Sequence, residues 1–351
     1  MNDAGAQDRR AGRRVRLKDV AERAGVAVNT ASTILNRRPN SWASEATIGR
    51  VFAAAEELGY RPNRAAVALQ RGRFESIGLL VADLTNPYFT HVATVLGEVV
   101  ERKGFELVIE SWRNDLEREK RLLDEFADRN VDGLMVFVSD IDIHREFLGR
   151  QAAGGIPVVA LAMPGAGEVA VDLVMPNFES GLREAALRLY GDGHRRFAFV
   201  AARSPGQRVG KRPALFEEIV ASLPGASLRV CSCGPTLDAA RGVAGELLGL
   251  EERPTAMVAL NDFTAIGVMR AAVECGLRVP EDVSVVGIDG IPLGGQLMVS
   301  LSTVVQPHAA MIERAFDFLW TRMEGYDGEP RRAEFAACFE ARESSGPAPL
   351  T

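Results

Sequence analysis

Cysteine is scarce in this chain: 4 in 351 residues, at Cys231, Cys233, Cys275 and Cys338. Only the first two lie close together, and a single such pair is not a zinc-site spacing. A disulfide-built secreted fold is therefore excluded, and reduced, partly buried thiols are expected. The 4 histidines are scattered at His91, His144, His194 and His308, with no HExxH spacing. Neither a metal site nor a cofactor is expected. No apolar run reaches the roughly 18 to 20 residues that a membrane helix needs. The opening MNDAGAQDRRAGRRVR carries charge in place of an apolar stretch, so no secretory signal is read there and a cytoplasmic protein is expected. The sequence also lacks GxSxG, a GxxxxGK[ST] loop, and GxGxxG after the first strand of the body. No nucleophile and base can be paired, so no enzyme is expected.

What is present is unevenly distributed. The net charge is -6. Residues 1–72 hold 13 Lys+Arg against 7 Asp+Glu, a net +6. The remainder holds 28 against 40, a net -12. A basic front end on an acidic body describes a small polyanion-binding module joined to something else.

Residues 1–15 are polar and Arg-rich and read as a disordered basic tail. From Leu17 the apolar spacing turns helical, with Leu17, Val20, Ala21 and Ala24 on one face and Gly25 as the stop. A second short helix follows through Val28, Ala31, Ile34 and Leu35. Ser44 can cap a third, which ends at Gly59. Two short helices joined by a Gly-containing turn match a helix-turn-helix unit over 16–61. Its second helix would enter a major groove, with Val28, Asn29 and Thr33 outward and Arg37, Arg38, Arg50, Arg61 and Arg64 near phosphates. The same residues also suit a small helical cap with a solvated charged face.

After Phe74, short β-rich runs alternate with helical stretches: SIGLLVA, ELVIE, GLMVFV, IPVVALA, RFAFVAA, AMVALN and VSVVGID. Near-continuous apolar strands mean parallel sheets covered on both faces. The length of this segment requires two α/β lobes. They are expected at about 75–175 with 303–330, and about 176–302 with 331–351. Ligands in such folds bind beyond the carboxyl ends of the strands. Asp83, Asn86, Asn261, Asp262 and Asp289 stand at those ends, with Tyr88 and Phe89 as candidate stacking walls. The competing reading of each Asn or Asp is a helix cap or turn.

RLKDVAERAGV…TASTILN…ELGYRPNRAA resembles the DNA-binding domain of the lac repressor (LacI/GalR) family of bacterial regulators. IGLLVADLTNPYF, VDGLMVF, IPVV, NDFTAIGVMRA, VPEDVSVVGID and LSTVVQP continue the likeness in the family's order, from residue 16 to about 345. The resemblance implies an all-α headpiece on a two-lobed body like that of the periplasmic binding proteins. It implies base reading by Val28, Asn29 and Thr33. Thr30, Ser32 and Asn36, with Arg37 and Arg64, would serve phosphate contacts or the turn. It also implies a hinge helix within 62–74, ordered only on DNA, with Ala66 in it and Leu69 as a minor-groove wedge. A homodimer on a palindromic operator follows, controlled by a sugar or related metabolite in the cleft between the lobes. A leucine heptad after SSGPAPLT is absent, so a dimer is expected and not a tetramer.

The sequence departs from the family in places. Arg16 and Ala27 stand where Ser or Thr commonly caps a helix, which predicts a less firmly anchored headpiece. Thr33 stands where Arg or His is common. Ala162-Met163 replaces an acidic residue, and Pro176-Asn177 replaces Asp-Asn. Gln207, three residues before Gly210, stands where the family's cleft arginine is expected, with Arg208 beside it. Arg203, Arg208, Lys211 and Arg212 suit an anionic ligand, although a solvated face is the simpler reading. These departures keep open a regulator without effector control. A pure solute-binding protein is the other alternative, and the basic headpiece and missing signal argue against it.

Overall fold

The computed structural model describes residues 15–36, 43–61, 72–128, 131–162, 168–203 and 210–350. Two units follow one another along the chain, residues 1–74 and 75–351. The tail before residue 15, Arg37, Arg38 and the hinge segment 62–71 with Arg64, Ala66 and Leu69 lie outside the described residues.

The first unit contains α1 (Leu17–Ala24), α2 (Val28–Leu35) and α3 (Glu45–Glu57). Val20, Ala21 and Ala24 meet Ala31 and Ile34 of α2 and Val51, Ala54 and Ala55 of α3 in one small core. Gly25 closes α1 at φ 66°, a conformation that costs a residue without Cβ little. The side chains at the helix starts are mixed. Arg16 offers no cap, but its N–H donates to Asp19 Oδ2 at 2.8 Å, so the first turn of α1 regains a partner from inside the helix. Ala27 leaves α2 with no side-chain cap. Ser44 Oγ accepts the Thr47 N–H at the start of α3.

The second unit holds two six-stranded sheets. The first contains β1 (Ser76–Val81), β2 (Glu106–Ser111), β3 (Gly133–Phe137), β4 (Val158–Leu161), β5 (Asp172–Asn177) and β11 (Arg332–Ala336), in the order β11-β5-β4-β3-β1-β2. The second contains β6 (Arg196–Ala202), β7 (Ser227–Cys233), β8 (Ala256–Ala259), β9 (Ser284–Asp289), β10 (Ser302–Val305) and β12 (Cys338–Glu340), in the order β12-β10-β9-β8-β6-β7. All recorded pairings are parallel except β10 with β12. Helices α4 (Pro87–Arg102), α5 (Leu116–Asp128) and α6 (Arg145–Ala152) belong to the first lobe. Helices α7 (Glu179–Gly191), α8 (Lys211–Ala221), α9 (Leu237–Leu248) and α10 (Asp262–Glu274) belong to the second, and α11 (His308–Met323) returns to the first. Every residue of β1, β4, β8 and β9 is buried, because helices cover both faces of the sheet there.

The chain crosses between lobes three times, after Asn177, after Val305 and after Ala336. Each crossing lies a few residues later than expected from sequence. β5 pairs with β4, β10 pairs with β9 and β11 pairs with β5 before the chain leaves. Residues 303–305 therefore belong to the second lobe and 332–336 to the first. Cys275 and Cys338, expected to be partly buried, are exposed.

Gly287 is fixed by close approach. A Cβ on Gly287 in β9 would lie 2.1 Å from Asp262 Oδ1 and 3.0 Å from its Cα. Gly287→Ala is expected to lower stability by about 1–3 kcal/mol, measured by urea unfolding, because Asp262 is itself buried and held by Thr303 and Ile291.

Candidate nucleic-acid interface and ligand cleft

In the headpiece, α2 turns Val28 (43 % exposed) and Asn29 to solvent. Val28 is a large apolar side chain with no core to join, which suits contact with a thymine methyl. Thr33 is half-buried, and its Oγ1 donates to the Asn29 carbonyl at 2.9 Å, so its hydroxyl is committed to the helix. Asn36 Nδ2 donates to Ser32 Oγ at 3.3 Å across the end of α2, and Thr30 is half-buried. Arg50 and Arg61 are exposed.

In the body, a cleft of about 500 Å³ opens beyond the carboxyl ends of both sheets. Asp83, Asn86, Tyr88 and Phe89 line it from the first lobe, and Asn261 and Asp289 from the second. Asp262 does not join them. It is wholly buried, with Oδ1 accepting Thr303 Oγ1 at 2.5 Å and Oδ2 accepting the Ile291 N–H at 2.7 Å. It bolts the start of α10 to β10, and burial pushes its carboxyl up to about 7. Asn86 and Asn261 line the cleft and also cap helices. Asn86 Oδ1 accepts the Tyr88 N–H, and Asn261 Oδ1 accepts the Thr264 N–H. Asp83 is fixed by Thr85 N–H and Asn114 Nδ2.

Gln207 and Arg208 lie outside the described residues. Arg203, Lys211 and Arg212 line the cleft, and Arg212, at the start of α8, is the one that reaches Asp289. It stands three residues before Leu215, where the expected pattern has glycine, and that substitution hid it among residues read as a solvated face. Arg212 Nη1 donates to the Leu260 carbonyl at 2.8 Å and lies 4.0 Å from Asp289 Oδ1. Its guanidinium stands over the Phe178 ring, 4.9 Å from the centroid. Asp289 is 4 % exposed, and its Oδ1 accepts Gln306 Nε2 at 2.7 Å. Its backbone sits at φ 122°, outside the ordinary range of an L-residue, as functional positions often do. Burial pushes its carboxyl up to about 8, with Asp262 adding to the effect and Arg212 and Gln306 opposing it. Burial likewise raises the Tyr88 phenol. Trp112, unread in the sequence, also lines the cleft, with its indole N–H fixed on the Phe137 carbonyl at 3.1 Å. Ala162 and Pro176 are present in the lining as apolar groups.

His308 begins α11 just past the second crossover, edge-on to Tyr88 and His91. Burial, with His91 beside it, pushes its imidazole down to about 4. The unfolded chain takes up a proton below about pH 6.5 while the folded chain stays neutral, so this group costs stability as pH falls from 6.5 toward 4. The buried carboxyls of Asp262 and Asp289 act oppositely, favouring the folded state as pH falls below their raised values. The wild-type protein minus His308→Phe difference isolates the imidazole. It is expected to shift against wild type by at most about 3 kcal/mol between pH 6.5 and 4 in urea unfolding.

Residues 16–63 match the family described as bacterial regulatory proteins, lacI family, and residues 186–345 match the periplasmic binding protein-like domain. The HTH-type transcriptional repressor PurR of Vibrio atlanticus (strain LGP32) is 31 % identical over 318 residues, covering 90 % of this chain and 94 % of that one. The chain belongs to the lacI family of bacterial regulators. It is a DNA-binding transcriptional regulator. A solved complex of the transcriptional regulator CelR with cellobiose is 28 % identical to this regulator, with a TM-score of 0.67, covering 94 % of this chain and all of that one. The lac repressor bound to ONPG in its repressed state, 24 % identical with a TM-score of 0.80 over 95 % of this chain and 100 % of that one, shares the fold. Among the described residues, no helix of the regulator is long and apolar enough to cross a membrane.

Proposed function

We propose that this regulator is a cytoplasmic, non-catalytic repressor that binds a two-fold operator as a homodimer and is released by a small polar metabolite, a sugar or a close relative, in the cleft. The observation that carries the ligand reading is the buried Asp289–Gln306 pair with Arg212 beside it, set among aromatic walls. A buried carboxyl group and a cation in one cleft recognise a ligand with several hydrogen-bonding groups, and burial makes each unmatched group costly. CelR carries cellobiose in a fold of the same kind.

In this reading Val28, Asn29 and Thr33 face base edges, and Thr30, Ser32, Asn36, Arg37 and Arg64 serve phosphates or the turn. A two-fold protein reads a two-fold site. Ligand in the cleft biases the arrangement of the two lobes, and DNA and ligand therefore weaken one another by the same factor. Ala66 and Leu69 belong to a hinge segment that orders on DNA, Leu69 entering a base step in the minor groove.

The test is footprinting on fragments that the purified protein retains from its source's genome. Protection of a palindrome supports the reading, and uniform protection without a preferred site rejects it. Leu69→Ala is expected to weaken binding at that palindrome by roughly tenfold or more and to reduce the bend seen by gel mobility, since an unstacked step needs its wedge. Unchanged affinity and bend would remove Leu69 from that role.

A further inference from the structure

β3 runs beside β4 with Phe137 opposite Leu161. One residue further on, Val138 and Ala162 both line the cleft. An acidic residue was expected directly after β4, and Ala162 cannot supply one. The neighbouring strand end does. Ser139, Asp140 and Asp142 also line the cleft. Asp142 is engaged by an ion pair with Arg145. Asp140 is half-buried, and its Oδ1 accepts the Asp142 N–H at 2.9 Å. Its second oxygen has no hydrogen bond among the described residues. A carboxylate oxygen in a cleft wall is an acceptor for a ligand donor.

The same segment is held from behind. Glu119 of α5 is fully buried. Its Oε1 accepts the Ser139 N–H at 2.7 Å, and its Oε2 accepts Ser139 Oγ at 2.5 Å. The buried His144 ring brings Nε2 to 3.2 Å from Glu119 Oε2. A buried carboxylate needs donors, and both of its hydrogen bonds come from the residue next to Asp140. Fixing Ser139 fixes the direction of the wall that carries Asp140.

We propose that Asp140 is a specificity-determining acceptor for ligand hydroxyl groups, in place of the acid absent at Ala162, and that Glu119 is the positioning residue that holds it there. This rests on the cleft reading above. It accounts for a carbohydrate-like cleft that lacks one of the acids expected in it: the carboxylate is supplied from the adjacent strand.

Isothermal titration of the full chain with cellobiose, lactose and ribose tests it, with amide hydrogen exchange as a second readout. A sugar that binds wild-type protein is expected to bind Asp140→Ala roughly tenfold or more weakly, the scale of a lost charge-assisted hydrogen bond. Ala162→Asp in that background is expected to recover part of the loss. Glu119→Ala is expected to weaken the same sugar and to raise exchange over 138–144. Glu119→Gln keeps an acceptor for the Ser139 N–H and is expected to stay within about threefold of wild type. Should Glu119→Ala fail to fold, Ser139→Ala removes one of the two donors and is expected to raise exchange in the same segment. Affinity of Asp140→Ala within about threefold of wild type overturns the role of Asp140 and leaves the cleft reading standing. Weak binding by Glu119→Ala that Glu119→Gln fails to rescue, or unchanged exchange over 138–144 in the folded variant, overturns the positioning role. No heat from wild-type protein with any of the three sugars removes the carbohydrate reading and the role of Asp140 together.

Discussion

Replacing Asp172 by alanine is expected to cost about 3–5 kcal/mol of unfolding free energy, the range found when one partner of a buried ion pair is removed. Asp172 opens β5 and is 1 % exposed. Arg322 of α11 donates from Nη2 to Oδ1 and from Nε to Oδ2, each at 3.0 Å. Arg331, just before β11, donates its N–H to Oδ1 at 2.7 Å and its Nη2 to Oδ2 at 2.6 Å. The Arg331 guanidinium also lies between the Phe318 and Tyr326 rings, at 4.3 and 4.4 Å from their centroids. One carboxylate thus joins α11, β5 and the start of β11, and its loss strands two partly buried cations. Burial alone would raise this carboxyl, and the hydrogen bonds from Arg322 and Arg331 outweigh burial and hold it below the ordinary range. The stabilisation is present above the unfolded value near 3.8 and is lost as pH falls through the lower folded value. Urea unfolding of wild-type and Asp172→Ala proteins at pH 7 measures the effect, and the gap should narrow below pH 4. A loss under about 1 kcal/mol would show that the clamp is a solvated surface pair.

Arg212→Ala is expected to reduce affinity for a cleft ligand by roughly a hundredfold or more. Two losses act together. The cation that faces the ligand disappears, and Asp289 loses the nearest charge opposing the effect of its burial. Its carboxyl, already raised to about 8 by burial, should then move higher still and hold its proton more firmly. Arg212→Lys restores charge without the planar fork and should recover only part of the affinity. Titration of the wild-type ligand against each variant checks this, and an unchanged affinity in Arg212→Ala would place the ligand elsewhere.

The parts of the fold legible in the sequence were those buried on both faces. β1, β4, β8 and β9 are continuous apolar runs because helices lie on each side of them. β7 was not legible, because it is an edge strand with Ser227, Arg229 and Ser232 exposed. β11 and β12 are short and half-exposed for the same reason, which displaced the third lobe boundary. In the cleft, residue type did not separate function from support. Asp262 and Asp289 are both acids at strand ends, yet one is bonded into the lobe interior and the other faces the cleft. Spacing misplaced the cleft arginine, because Leu215 occupies the glycine position that would have marked Arg212. Trp112 and Asp140 enter the cleft from loops after β2 and β3, and no local pattern announces a wall built by neighbouring strands.

The central claim is that α2 reads a DNA sequence, and it is tested most directly by fluorescence anisotropy of the full chain on a fragment retained from its source's genome, against a scrambled fragment at the same salt. Wild-type protein is predicted to prefer the retained fragment by roughly a thousandfold or more. Asn29→Ala should lose about 1–3 kcal/mol of that preference while the salt dependence, set by phosphate contacts, stays unchanged. Equal affinity of wild-type protein for both fragments would contradict the account.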